Sequence, residues 1–229
     1  MWLSGQGDVF RVIISVFSTL IVIFVCFPVH ECAHALAAKL CGDDTAEREG
    51  RVTLNPFAHI DPIGALTIFI CRIGYAKPTP VNLGRCKKVS MRTANVLISL
   101  AGPFSNLIMS FILLIPYRLI EIQYIKALYD PTMFQQAQVL YWAALALHFA
   151  AEINVFLMIF NLIPIPPFDG YHVLASFLPT KALYFMERNG RMIQIIMLLL
   201  LFSNALSIPL GFLTDAVMGF LYFPLSFIG

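Results

Sequence analysis

Charge is scarce in this sequence. Of its 229 residues only 12% are charged, against about 25% in a soluble domain, while 59% are hydrophobic and the mean hydropathy is +0.80. So few charges cannot cover a water-soluble protein of this length without leaving large exposed apolar patches, and that class is excluded. Cysteine supplies no scaffold either. There are five, an odd number, with no C-x-x-C pair (Cys26, Cys32, Cys41, Cys71, Cys86), so nothing indicates a disulfide framework. The net charge of +2 is too small for a nucleic-acid-binding surface. Repeats, low-complexity tracts and a linker to a second domain are also lacking. What is present, in quantity, is long apolar sequence: an integral membrane protein forming one domain over 1–229, with a core at about 12–178 and C-terminal membrane segments at 192–227.

The first apolar run, Val12–Val29, is about 18 residues long, has no small-residue cleavage site at its end and continues into helix-forming sequence, so it is expected to be a retained span. The helix is predicted from about Val12 to Leu40, with Gly42 as its C-cap and a kink at Pro28, which removes a backbone hydrogen bond. From Cys41 to Val89 the chain is polar and irregular. Within it, Ile63–Cys71 is too short to cross as a helix and reads as a strand or re-entrant segment. Further spans are predicted at Ala94–Ile120 and Val139–Ile165, followed by Met192–Leu206 and Pro209–Phe227, the last of which either spans or lies in the interface. The expected fold is all-α and polytopic: a three-helix core plus one or two C-terminal spans, with a short re-entrant β element after the first.

Lys and Arg set the orientation. Nine lie between Lys39 and Arg92 (Lys39, Arg48, Arg51, Arg72, Lys77, Arg85, Lys87, Lys88 and Arg92), against Arg118 and Lys126 between spans two and three. The long first loop is therefore expected inside, and the C-terminal ends of spans one and three at the same, cytoplasmic, face.

At the end of span one stands His30-Glu31-Cys32-Ala33-His34. Residues four apart on a helix share a face, so both imidazoles can grip one zinc ion with Glu31 beside them to act on water. A chance H-E-x-x-H is expected in only about a few per thousand such sequences, and ionisable groups inside a membrane helix are costly unless functional. A catalytic zinc needs a third protein ligand. Span three ends in Asn161-Leu162-Ile163-Pro164-Ile165-Pro166-Pro167-Phe168-Asp169-Gly170, whose prolines break the helix and carry Asp169 on a stiff arm. Asp169 alone reads as the N-cap of a short helix at Tyr171–Phe177; beside a two-His site at the same membrane face it is favoured as the ligand.

Taken in order, H-E-x-x-H in the first core span, G-x-x-x-N in the next (Gly102-Pro103-Phe104-Ser105-Asn106) and N-x-x-P-x-P-P-x-D-G in the third resemble the site-2 protease family of intramembrane zinc metalloproteases. GRVTLNPFAHIDPIG and AKPTPVN look like its compact bacterial subgroup, without inserted PDZ or appended CBS domains, and the resemblance covers roughly Pro28 to Leu178. It implies zinc held by His30, His34 and Asp169, Glu31 as general base, and Asn161 near the scissile carbonyl. It also implies an edge in the segment after span one that accepts a substrate strand. The substrate would be a transmembrane-helix protein or remnant signal peptide, cut near the cytoplasmic face of the inner membrane. The competing classes are a metal-bound regulator that does not cut, against which the intact Glu31 argues, and a metal transporter, which would spread polar residues along a whole path.

Other polar residues carry weaker signals. His148 and Glu152, four apart in span three, read as a hydrogen-bonded intrabundle pair in preference to a second metal site or proton path. His59 and Asp61 suit turn chemistry, and His172 is a spare ligand that three others make unnecessary. Gly102 reads as a close-packing residue, and Asn106 as a polar contact between spans.

Overall fold

The computed structural model describes residues 9–71, 76–203 and 205–228. All regular structure among them is helical. The first span is one helical path in three parts: α1 (Val9–Ile21), a π-helical turn (Val22–Cys26) and α2 (Phe27–Cys41). The π turn sits just ahead of Pro28, as the missing proline N–H leads one to expect: the ladder that cannot close at normal register widens by one residue. Gly42 ends α2 with φ 108, a left-handed conformation open to glycine, and its N–H reaches the carbonyls of Ala38 and Lys39.

Two long helices follow the first loop. α5 (Met91–Leu128) starts at Ser90, whose hydroxyl accepts from Thr93 N at 3.1 Å. Its 38 residues extend about 57 Å, well beyond a ~30 Å hydrocarbon core. α6 (Phe134–Asn161) runs back along it, and the two share the most extensive contact among the described elements. Small residues line the buried side of α6 (Ala137, Ala144, Ala151), which lets the helix axes approach. α2 packs against α5, and α1 and α9 (Ser207–Tyr222) against α6. At the C-terminal end of α5, Glu121 accepts hydrogen bonds from Tyr117 (2.9 Å), Arg118 (2.8 Å) and Tyr222 of α9 (2.6 Å), a polar knot joining the two helices. Among the described residues four helical stretches are long and apolar enough to cross a membrane: Thr19–Cys41, Met91–Leu128, Phe134–Asn161 and Ser207–Phe227. The chain is thus a multi-pass membrane protein with one candidate span after the core. α8 (Thr180–Phe202), expected from Met192, begins earlier among charged residues and packs extensively on no other described element.

Of the two readings of Ile63–Cys71, a strand or a re-entrant segment, the strand is replaced by α4 (Pro62–Cys71). The start signals explain the difference. Asp61 Oδ1 accepts from Ile63 N (2.9 Å) and Gly64 N (2.8 Å), and Pro62 occupies the first helical position, where its missing N–H costs nothing. These bonds also fulfil the turn chemistry expected of Asp61. No strand occurs among the described residues, and residues 72–75 of the expected β element lie outside them.

The polar loop is tied down by two buried ions. Asp43, fully buried, accepts from Thr45 N (3.0 Å), Thr45 Oγ1 (2.5 Å) and, across the loop, Asn82 N (2.6 Å). Buried Arg51 donates to the carbonyls of Ala58, Lys77 (3.4 Å) and Pro78 (3.4 Å). His59 is buried too, bonded through Nε2 to Thr53 O at 2.8 Å, and its own carbonyl accepts from Lys77 N at 2.8 Å. Together these contacts lay the irregular segment 76–82 against the end of α2.

Candidate metal centre

The H-E-x-x-H sequence falls on α2, and the turn geometry brings His30 and His34 face to face: their Nε2 atoms are 3.1 Å apart and both side chains are buried. His34 is fixed from behind. Its Nδ1 donates to Ile98 O on α5 at 2.7 Å; a carbonyl only accepts, so the proton sits on Nδ1 and the Nε2 lone pair faces the centre.

Asp169 comes from the other side. The α6 helix stops at Asn161 and the proline-rich stretch turns the chain into α7 (Asp169–Ala175), which packs on α5. Gly170 makes the turn possible: a Cβ there would stand 2.2 Å from Leu162 O. Asp169 is the first residue of α7, the N-cap position belongs to Phe168, and no side chain caps the helix. The capping role that competed for Asp169 is therefore not the one it plays. Its Oδ2 lies 3.4 Å from Nε2 of both His30 and His34, yet is buried without a hydrogen-bond partner.

These three groups fit zinc. A tetrahedral ion with bonds of about 2.0–2.1 Å has ligand-to-ligand edges of about 3.3–3.4 Å, and the observed edges are 3.1, 3.4 and 3.4 Å. The orphaned Asp169 oxygen is accounted for if it faces a cation. No other group of three potential ligands converges so closely among the described residues.

Glu31 is half-buried beside the trio. Its Oε2 accepts from Thr79 N (3.0 Å) and Thr79 Oγ1 (2.8 Å), so the irregular segment holds the carboxylate in place. Thr79 belongs to the AKPTPVN stretch but carries no motif of its own; the proline on each side of it, which stiffens the backbone, is the one signal in the sequence. Gly102 was also undervalued. A Cβ on it would lie 2.3 Å from His34 Nε2 and 2.6 Å from His30 Nε2, so the close packing is against the two imidazoles themselves. Asn161 lines the same cavity as the trio, with its Nδ2 donating to Leu157 O at 3.0 Å. That cavity, about 1060 Å³, runs from the trio into the helix bundle as far as Glu152 and Asp215. His148 and Glu152 stand 3.9 Å apart, an ion-pair distance too long for the hydrogen bond expected of them. His172 is exposed and borders the cavity, and its backbone carbonyl accepts from Asn95 Nδ2 at 2.8 Å.

The donor set decides the class. Two imidazoles and one carboxylate would leave a fourth position on a zinc ion for water, which is how catalytic sites differ from closed structural ones. With a glutamate adjoining, in a multi-pass membrane bundle, this is the make-up of a membrane metalloprotease. The comparisons agree. The sequence model of Peptidase family M50 matches residues 18–203, and the chain belongs to that family. It is 38% identical over 159 residues to YwhC of Bacillus subtilis, named as a candidate zinc metalloprotease, covering 69% of this chain and 68% of that one. Two proteins called Rip2, named in the same way, are also similar. That of Mycolicibacterium smegmatis is 29% identical over 176 residues (74% of this chain, 62% of the relative), and that of Mycobacterium tuberculosis strain H37Rv 34% over 152 (63% and 51%). The chain thus spans roughly half to two thirds of the length of these relatives. No solved structure matches it.

Proposed function

We propose that this protein is an intramembrane zinc endopeptidase that hydrolyses peptide bonds within or near transmembrane helices of single-span proteins or remnant signal peptides. The observation that carries the reading is the convergence of His30, His34 and Asp169, from two separate membrane segments, at the edge of a cavity large enough to take an unwound stretch of chain. His30, His34 and Asp169 hold the ion. When bound, zinc polarises a carbonyl and brings the pKa of water towards 7. Glu31 takes the proton of the attacking water and passes it to the leaving amine. Thr79 keeps the Glu31 carboxylate oriented for both transfers. Asn161, on the cavity wall, holds substrate or the developing oxyanion.

The excess of Lys and Arg between Lys39 and Arg92 supports placing the protein in the cytoplasmic membrane with the site near its inner face, where water is at hand. The test is Glu31→Gln. The variant is expected to retain zinc and to lose cleavage of a co-expressed single-span substrate by about 10²–10⁴-fold, the usual share of a general base. Undiminished cleavage would remove Glu31 from that role.

A further inference from the structure

The trio, Glu31 and Asn161 account for one end of the cavity; Asn106 is unexplained by them. It lies on α5 and lines the same cavity, yet it is 1% exposed and neither its Nδ2 nor its Oδ1 has a hydrogen-bond partner. The polar contact between spans that its sequence position suggested is not formed. A buried amide without a partner is costly, and most of all inside a bilayer, where little water is available to satisfy it.

Its position is telling. Asn106 follows Gly102 by four residues, one turn along the same face of α5, a rise of about 6 Å. Gly102 is where α5 presses on the two imidazoles. The unpaired amide is therefore one helical turn from the metal centre, deeper along the cavity. We propose that Asn106 is a substrate-binding residue that pairs with a backbone amide of the substrate once the segment around the scissile bond has unwound. A side-chain amide offers one acceptor and two donors and so complements the N–H and C=O that a helix exposes when it opens. At about 3.3 Å per residue in extended chain, the partner lies about two residues from the bond at the metal. The inference rests on the reading that substrate enters this cavity.

Binding is measured on the Glu31→Gln protein, which does not consume its ligand. The probe is a dye-labelled synthetic transmembrane peptide of about 20 residues, leucine-rich with a central Ser-Gly-Gly, and a series in which each central amide is replaced by an ester. Glu31→Gln is expected to bind the all-amide peptide about 5- to 10-fold more tightly than the ester at one position, the worth of one or two neutral hydrogen bonds. Adding Asn106→Leu is expected to abolish that preference and weaken the all-amide peptide to the ester's level, with an unchanged or raised Tm because an orphaned amide has been removed. Asn106→Ala, tested alongside, should do the same to the preference. In the Glu31 protein, Asn106→Leu should raise KM about 5- to 10-fold with kcat within about twofold. A preference for amide over ester that survives both substitutions overturns the proposal, as does a lowered Tm with the preference intact, which would make Asn106 structural. No binding at all by Glu31→Gln overturns it together with the reading of the cavity. Wild-type protein that binds the peptide but does not cut it overturns only the proposed activity.

Discussion

Gly102→Ala separates what a helix wants from what the metal centre allows. Within a helix, alanine for glycine is favourable by about 0.8–1 kcal/mol, so on propensity alone the change is stabilising. The structure says otherwise for the site. The new Cβ would stand 2.3 Å from His34 Nε2 and 2.6 Å from both Cε1 and Nε2 of His30. Comfortable carbon contacts begin near 3.5 Å, so ring and helix must part by about 1 Å. They cannot do so freely. The His34 ring is bonded to Ile98 O at 2.7 Å, and Ile98 lies one turn from Gly102 on the same helix, so moving α5 away pulls on the bond that orients the ligand. Zinc sites tolerate ligand shifts of about 0.2 Å, and losing an outer contact to a ligand alone costs about 10- to 100-fold in affinity. Zinc affinity of Gly102→Ala is therefore expected to fall at least about 100-fold, with cleavage falling in step. Competition against chelators of graded affinity measures it, and circular dichroism checks that the helices remain. A variant binding zinc within about threefold of wild type would refute the geometry at this contact.

Thr79→Val removes the hydroxyl donor to Glu31 but keeps the backbone one, and is expected to lower kcat about 10- to 100-fold, as a hydrogen bond to a charged group is worth, with zinc content unchanged and Thr79→Ser restoring most of the rate. Equal rates in the valine and serine variants would show the hydroxyl to be idle. Asp43 gives an acid limit. Burial raises its pKa, but hydrogen bonds from Thr45 and Asn82 outweigh this and hold it below the ordinary carboxylate value. A lowered folded-state pKa means the contribution is complete above the unfolded value near about 3.9 and is lost as pH falls through the folded one. Hydrogen-exchange protection of residues 76–82, corrected for the chemical rate, should drop below about pH 4 in wild type. The Asp43→Asn protein should be weaker at neutral pH and show no such acid step; an identical step in both would acquit Asp43.

The membrane class and the meeting of His30, His34 and Asp169 could be read from the chain because they rest largely on local rules. Apolar runs of spanning length mark membrane helices, a four-residue spacing puts two histidines on one face, and prolines after Asn161 force the helix to stop. Asp169 needed one long-range inference, that the ends of two spans meet, and chemistry supplied it: two imidazoles want a third ligand. The misreading at Ile63–Cys71 came from judging a short apolar run by its β-branched content. The two-residue signal ahead of it, Asp61 then Pro62, was the stronger one, because it satisfies the first free N–H groups of a helix. Thr79 escaped notice because its partner is 48 residues away and a threonine carries no motif of its own.

The residues whose part was missed or undervalued share a physical character. Gly102, Gly170, Thr79 and the Ile98 carbonyl perform no chemistry; they fix distances between elements that do. In a bilayer this matters more than in water, since helices there are not driven together by the hydrophobic effect and approach only as closely as small residues and polar contacts permit. Gly102 sets how near α5 comes to the imidazoles, and Gly170 sets how far α7 folds back over the end of α6. The first clearance opens on the Nε2 edge of the two histidines, where an ion would sit, and the second lies behind the aspartate. A methyl group at Gly102 therefore intrudes on the space of the ion, and one at Gly170 displaces the third ligand. Substitution at both is expected to cost little beyond the first, because a centre that can no longer seat the ion has no third-ligand contribution left to lose. Zinc affinities of Gly102→Ala, Gly170→Ala and the double variant measure that coupling. Additive losses would mean that the two glycines act on separate features and that the ion site is not the structure they jointly define.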